Sequence, residues 1–539
     1  MSLAEHLPIF PILVPLMAAM VLALISEFKR RTKIILSLLS ALTQLLVASI
    51  LVMKADGVAG ASPAAVYLLG NWAPPFGIVL MVDRLSALML LLTALLAVPC
   101  LLFAVARWDR VGVHFYGLFQ LLLVGVNGAF LTNDLFNLFV FFEIMLAASY
   151  GLLLHGSGKA RVRAGLRYIA VNLVSSSIFL VGVGLIYAAS GSLNMADITV
   201  ATAEMSHGEY TLLQAGAAIL AVAFLVKSAV WPLNFWLPTS YGVAVAPVAA
   251  MFAIMTKVGV YALFRLWAIV VPEQNFPGLE TEADWLMGLA MLTLLFATLG
   301  MLAAQDLRRM AGVSIIASTG ILLAGMSLGS PSAWAAALYY LLVSTLAVGA
   351  MFLLIDLLER IRQFGADLLA VTVEAFEAEG MVLPEQEEVG VAIPAALAFL
   401  GMSFVVCGIL ITGLPPLSGF LAKFSLLVAT LNPVEGAVQW WHWLLIALVI
   451  GSGLTGVITL LRLGIRLFWV PESHARPHLR VIEAGPVAWL LGLCVVLTVA
   501  AGPVMGYLER TVATLSFPHD TARAVLEVEA VPRSLEVNP

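Results

Sequence analysis

Four ionisable side chains stand inside long apolar runs: Glu143 within Phe139-Val140-Phe141-Phe142-Glu143-Ile144-Met145-Leu146, and Lys227, Lys257 and Lys423, three of only seven lysines in the chain. Near the centre of a spanning helix such a residue costs about 2.5–3.5 kcal/mol, so the four together cost about 10 kcal/mol before any pairing. A buried ion pair is at best a weak stabiliser, and a purely structural account has no need of four such charges on separate spans. Burial favours the neutral form of an ionisable group and an opposite charge nearby favours the ionised form, so a group that gains and loses such a neighbour loads and releases a proton. The chemistry these residues predict is a proton relay through the membrane.

Two of the lysines sit beside helix-breaking sequence. Lys227 is followed by Ser228-Ala229-Val230-Trp231-Pro232-Leu233-Asn234-Phe235-Trp236-Leu237-Pro238, and Gly413-Leu414-Pro415-Pro416-Leu417-Ser418-Gly419-Phe420-Leu421-Ala422 leads into Lys423. Proline removes a backbone donor and frees the carbonyl one turn back. Irregular backbone at membrane depth is tolerated only where it is buried in protein or lines a cavity. The breaks at Pro232 and Pro238 and at Pro415 and Pro416 fall in the seventh and twelfth apolar runs. An odd separation of five makes the two broken helices run in opposite directions, which predicts inverted repeats, spans 4–8 against 9–13, with ion sites at the discontinuities.

The elements that must position these groups are set by composition. The 539 residues are 62% hydrophobic and 11% charged, with net charge −5 and a mean hydropathy of +1.04. Soluble globular chains are roughly 45–50% apolar and about 25% charged. An all-α polytopic membrane protein with about fourteen transmembrane helices is expected by the 20-residue criterion. The spans include 8–26, 79–104, 135–155, 212–230, 247–271, 333–357, 391–414 continued by 416–430, and 486–508. They divide the chain into 1–110 (helices 1–3), 111–271 (first repeat), 272–463 (second repeat) and 464–539 (last helix and tail). A polar insert at 358–390, carrying Glu374, Glu377, Glu379, Glu385, Glu387 and Glu388, reads as a solvated amphipathic stretch. The tail after about 508 is too polar to span and is expected on the surface or against a partner.

With the N-terminus outside, eighteen Lys and Arg fall in inner connections and Lys54 alone in the outer connections between spans. That asymmetry places both termini outside the cytoplasm. The basic cluster Lys29, Arg30, Arg31 and Lys33 follows the first apolar run and Glu5 precedes it, opposite to a cleaved signal peptide. Cys100, Cys407 and Cys494 are isolated within apolar runs, which argues against a disulfide framework or a metal site. Gly451-Ser452-Gly453-Leu454-Thr455-Gly456 matches a dinucleotide pattern but lies inside a span without a preceding strand. Gly156-Ser157-Gly158-Lys159-Ala160 lacks both the first glycine and the Ser/Thr of a phosphate loop. No metal, cofactor, nucleotide or nucleic-acid site is expected.

The Phe-Phe-Glu ending at Glu143, the Lys-Ser-Ala-x-x-Pro-Leu-x-x-Trp-Leu-Pro run from Lys227 to Pro238, Met255-Thr256-Lys257-Val258-Gly259, and the Gly-Leu-Pro-Pro-Leu-Ser-Gly-Phe-x-x-Lys run to Lys423 together resemble one family. It comprises the antiporter-like membrane subunits of Mrp-type cation/proton antiporters, respiratory complex I and membrane-bound hydrogenases. The resemblance is strong over 110–430, and segments 127–137 and 149–155 look most like the D subunits of multisubunit Mrp antiporters. It implies that Glu143 and Lys227 are a coupled pair at a half-channel entrance, Lys257 a central relay and Lys423 the exit group. Family members often carry His or Lys in the eleventh span, where this chain reads Tyr339-Tyr340-Leu341-Leu342-Val343-Ser344-Thr345-Leu346. The link from Lys257 to Lys423 would then run through Ser344, Thr345 and water, with Ser228 a further relay hydroxyl.

The resemblance implies a secondary transporter subunit, not an enzyme. It would translocate protons in a Na⁺ or K⁺/proton antiporter of a prokaryotic cytoplasmic membrane, with other membrane subunits as partners. The alternatives are a proton-pumping subunit of a redox complex and a non-conducting assembly scaffold. One charge moving through 100 mV releases about 2.3 kcal/mol, more than a one-unit coupling step between relay groups.

Overall fold

The computed structural model describes residues 5–57, 65–270, 280–379, 395–433, 437–468, 479–515 and 518–529. Nineteen α-helices carry them, and thirteen helical segments are long and apolar enough to cross a membrane. Two shorter apolar helices, α4 (Phe115–Leu131) and α15 (Ser418–Leu431), join them. The chain is a polytopic helical membrane protein.

Burial sorts the helices into layers. The apolar stretches of α10 (Ala246–Val270), α12 (Leu307–Ser327) and α13 (Pro331–Glu379) are wholly enclosed by this chain, whereas α2 (Arg30–Gly57) and α6 (Lys159–Ser190) leave most of theirs unburied. A helix apolar all round is a central helix. In α10, Ala249, Ala250 and Ala253 let neighbours approach the axis, and Gly349 of α13 lies against the Ala250 carbonyl. Small residues are what permit close helix contact where lipid supplies no hydrophobic drive.

Both expected breaks are present. α8 (His207–Lys227) stops at its lysine, and α9 (Leu237–Val243) resumes after an irregular stretch. α14 (Ala395–Thr412) is likewise separated from α15.

Three expectations about elements change. The third span does not begin at 79: Val79–Val82 form strand β2, paired antiparallel with β1 (Ala65–Leu68), and α3 (Arg84–Ala106) starts after Asp83, which caps it. All four residues of β2 are buried, so it shows no alternation and reads as continuous with the helix. The last span, expected at 486–508, is divided into α17 (Val481–Val499) and α18 (Ala501–Leu515). The insert expected at 358–390 begins as helix, because α13 runs on to Glu379; 380–390, with Glu385, Glu387 and Glu388, lie outside the described residues. The tail folds back: Ala522 and Val525 of α19 (Pro518–Leu526) pack with Val79, Met81 and Ala196, the last on α7 (Met195–Ala201). The glycine-rich run 451–456 lies within α16 (Trp440–Phe468).

Candidate functional site

α5 (Leu135–Leu153) is started by Asp134, whose carboxylate accepts the Asn137 amide at 2.7 Å. Nine residues after Asp134, Glu143 points at α6, where the Ser176 hydroxyl donates a short hydrogen bond to its carboxylate. Lys227 approaches the same hydroxyl from α8, Nζ to Oγ 3.5 Å. Its ammonium also stands 5.1 Å from the centroid of the Phe142 ring, a cation–π arrangement. Glu143 and Lys227 are therefore brought together through Ser176, not by direct contact. Lys227 is 5% exposed.

Lys227 closes α8, where a cation complements the helix dipole. The carbonyls freed beyond the break find new donors. Val226 O accepts Trp236 Nε1 at 3.2 Å, Leu225 O accepts the Val230 amide at 3.0 Å, and Ser228 O accepts the Thr319 hydroxyl at 3.0 Å. Thr293 of α11 (Glu280–Ala303) accepts the Trp231 amide at 3.1 Å. Pro238 sits in the first turn of α9, and a Cβ on Gly312 would stand 3.0 Å from its Cα, so glycine is what admits α12 there. Two arginines hold the far end of α9. Arg161 donates to Val243 O at 3.0 Å, and Arg308 donates to Ala244 O at 3.3 Å while pairing with Glu359 at 2.7 Å.

Lys257, 2% exposed in α10, donates to the Ser318 hydroxyl of α12. Ser318 donates in turn to Ser344 Oγ of α13 at 3.1 Å, and Ser344 to Leu341 O at 3.3 Å. This is a one-way chain of donors from an ammonium to a backbone carbonyl. Thr345 is turned away, donating to Leu341 O of its own helix at 2.7 Å. The Ser228 hydroxyl, fully buried between the Lys227 turn and Gly259, has no hydrogen-bond partner among the described residues. An unmade bond of that kind costs roughly 1–3 kcal/mol, which a bridging water removes.

Lys423 has a different setting. Its Nζ donates to Thr412 O at 2.8 Å and Ile411 O at 3.3 Å, the carbonyls released by the break at Pro415 and Pro416. Gly413 takes a positive φ of 78°, and a side chain there would strike the Lys423 methylenes. The second half-helix is fastened by Ser418, whose amide donates to the Thr498 hydroxyl at 2.8 Å. The structure thus forms two separate clusters, Glu143–Ser176–Lys227 and Lys257–Ser318–Ser344, with Lys423 at a third point. Ser176 and Ser318 are the site residues that sequence reasoning missed; a Ser175-Ser176-Ser177 run and the Ser314, Ser318, Thr319 spacing within apolar spans were the available signals.

A helical membrane protein with two interrupted helices, each beside a buried lysine, and with carboxylate and hydroxyl partners inside the bundle, is of the secondary-transport type. The chain belongs to the NADH:quinone oxidoreductase/Mrp antiporter transmembrane family, whose sequence model matches residues 132–383. It is 49% identical over 534 residues to the D subunit of a probable K⁺/H⁺ antiporter of Rhizobium meliloti strain 1021, covering 97% of this chain and 98% of that one. The D subunit of a Na⁺/H⁺ antiporter of Alkalihalophilus pseudofirmus is 33% identical over 513 residues, covering 93% and 96%. Among solved structures, a chain of the Mrp complex from Dietzia sp. DQ12-45-1b superposes with a TM-score of 0.80 at 27% identity, covering 98% and 100%.

Proposed function

We infer that this chain is the proton-translocating subunit of a multisubunit monovalent cation/proton antiporter, working with other membrane subunits and exchanging Na⁺ or K⁺ through the complex. The observation that carries the reading is the Ser176 hydroxyl held between the Glu143 carboxylate and the Lys227 amine inside the bundle. Relatives named as the D subunits of K⁺/H⁺ and Na⁺/H⁺ antiporters support the same assignment.

The mechanism is electrostatic. A proton on Glu143 removes the negative charge that favours the Lys227 ammonium, and its departure restores that charge. Each unit of altered proton affinity corresponds to about 1.4 kcal/mol, so successive groups pass the proton on. Lys227 hands it toward Lys257 past the buried Ser228 hydroxyl, and Lys257 draws on Ser318 and Ser344. Lys423 is the terminal group at the second break. The two breaks belong to inverted repeats, apolar spans 4–8 and 9–13, in residues 111–271 and 272–463, flanked by the units 1–110 and 464–539. The protein sits in a prokaryotic cytoplasmic membrane with both termini outside, as the distribution of Lys and Arg supports.

The test is Na⁺- and K⁺-dependent dissipation of a pH gradient in everted vesicles. Wild type, Glu143→Ala and Lys227→Ala are each expressed with the partner subunits and normalised to immunoblotted protein. Exchange falling at least tenfold at normal abundance is the expected result. Exchange retained at normal abundance in both variants removes the relay and favours an assembly scaffold.

A further inference from the structure

Lys257, Tyr261 and Arg265 follow one another at four-residue intervals, so they share one face of α10. Arg265 Nε donates to the Tyr261 hydroxyl at 3.0 Å, and that hydroxyl donates to Phe130 O at 2.7 Å. Arg265 Nη2 reaches the Asp83 carboxylate at 2.7 Å, linking α10 to the start of α3. Asp83 and Tyr261 are 8% and 3% exposed.

Asp83 and Arg265 line a cavity of about 70 Å³ that Asn133, Ala268, Thr199 and Thr514 help to enclose. Such a space has room for several water molecules. Beside it, Asn133 donates to Asn194 Oδ1 at 3.4 Å, while the side-chain nitrogen of the fully buried Asn194 lacks any acceptor among the described residues. The cavity lies at the C-terminal end of α10, the outer end in the orientation proposed above. An ion pair taken out of water is costly and at best weakly stabilising, so its presence on the helix that carries Lys257 calls for a role.

We propose that Asp83, Arg265 and Tyr261 form a second, outer-facing proton port, through which Lys257 exchanges protons with the water of this cavity without passing through Lys423. This inference rests on the relay reading of Lys257. Asp83 takes a proton from a hydronium ion in the cavity, which leaves as water, and becomes a carboxylic acid. Tyr261, released from Phe130 O, gives its hydroxyl proton through an intervening water to the neutral Lys257 amine one helical turn away, and recovers one, again through water, from Asp83. One proton has moved from the cavity to Lys257, with Asp83 again a carboxylate and Tyr261 again a phenol. The fixed positive charge of Arg265 keeps Na⁺ and K⁺ out of the port.

The test uses the whole complex in everted vesicles, with exchange normalised to abundance, for Asp83→Asn, Asp83→Glu, Tyr261→Phe, Lys423→Ala, the Asp83→Asn/Lys423→Ala double variant and Glu143→Ala. Asp83→Asn and Tyr261→Phe should each lower exchange about tenfold, Asp83→Glu should restore most of it, and the double variant should fall below either single one. A cysteine in place of Ala268 should be labelled by an impermeant maleimide from the outer side only, and labelling should slow exchange; the three native cysteines are buried. Full exchange in Asp83→Asn and Tyr261→Phe, with exchange lost in Glu143→Ala, overturns the port and leaves the relay standing. Full exchange in Glu143→Ala as well overturns the relay and the port with it. Loss of exchange that tracks loss of protein in both port variants, without rescue by Asp83→Glu, identifies a structural pin and also overturns the port.

Discussion

Lys423 caps the break it follows, its ammonium 2.8 Å from the Thr412 carbonyl, whereas Lys227 turns from the break it precedes toward Ser176, 3.5 Å away. The two lysines hold equivalent-looking places in sequence and different partners in space. Lys423 donates to carbonyl oxygens that the helix break has stripped of amide donors; Lys227 faces a hydroxyl already engaged by a carboxylate. A role in stability is therefore built into one and much less into the other.

Lys423→Ala should accordingly destabilise the protein as well as slow transport. Leaving buried carbonyls without donors costs about 1–3 kcal/mol each. The expected outcome is a lower melting temperature for the detergent-purified protein than for Lys227→Ala, measured by intrinsic tryptophan fluorescence. Lys423→Arg, which keeps donors at the break, should recover most of the difference. Equal melting temperatures for the two alanine variants would remove the capping role.

Ser176→Ala should lower cation-dependent proton exchange by about 10–100-fold at normal abundance, because a hydrogen bond to a charged group contributes roughly 1.5–3 kcal/mol. Ser177, its neighbour, donates to Leu173 O of its own helix at 3.2 Å and faces outward, so Ser177→Ala is the matched control with wild-type exchange. Vesicle assays on the pair separate a bridging hydroxyl from a generic loss of polarity.

The lysines, the prolines and Glu143 were legible in the sequence because their cost in lipid is local: a charge or a missing backbone donor is conspicuous wherever the helix faces. The bridging serines were not. Ser175, Ser176 and Ser177 are consecutive, and only helix phase sends the first to Ala223 O of α8, the second to Glu143 and the third back to its own helix. Phase is fixed by packing between helices far apart in sequence. Thr345 shows the same limit from the other side, since its position in the span suits a relay and its rotamer does not. Strand β2 was hidden because a fully buried strand and the start of a buried helix share one composition.

Gly259→Val should prevent the break after Lys227 from closing on α10. A Cβ at Gly259 would collide with the Ser228 hydroxyl and lie 3.1 Å from Phe224 O, both in the turn that carries Lys227. Overpacking of this kind costs about 1–3 kcal/mol and moves backbone. Reduced abundance and a lowered melting temperature are expected, with residual exchange per molecule also reduced. Gly288→Ala, where no described residue stands within 4 Å of the new methyl, should leave both unchanged.

Arg308→Ala addresses how the half-helix α9 is held in place. Its guanidinium caps Ala244 O and pairs with Glu359 of α13, so its removal frees the far end of the broken segment from the long helix that also carries Ser344. Arg308→Lys keeps the charge but cannot reproduce the planar fork that engages both Glu359 oxygens. If the clasp positions α9, both variants should slow exchange, the alanine more than the lysine, while the cation concentration for half-maximal exchange stays near wild type. A shift in that concentration instead would place Arg308 on the cation path.

Ser318→Ala and Thr345→Ala make the sharpest comparison within the second cluster. Ser318 is the hydrogen-bond partner of the Lys257 ammonium among the described residues and donates its own hydroxyl hydrogen bond to Ser344, so its loss leaves a buried cation without that bond and interrupts the donor chain. Thr345 spends its hydroxyl on the carbonyl one turn back, and alanine there removes a local bond of about 1 kcal/mol or less while leaving the chain intact. Exchange in Ser318→Ala should fall by at least tenfold, with Ser318→Thr retaining a substantial part, and Thr345→Ala should stay within about twofold of wild type. The order matters more than the sizes: if Thr345→Ala were the more damaging, protons would leave Lys257 along the face of α13 that carries Thr345, and the Ser318–Ser344 chain would be a packing feature only.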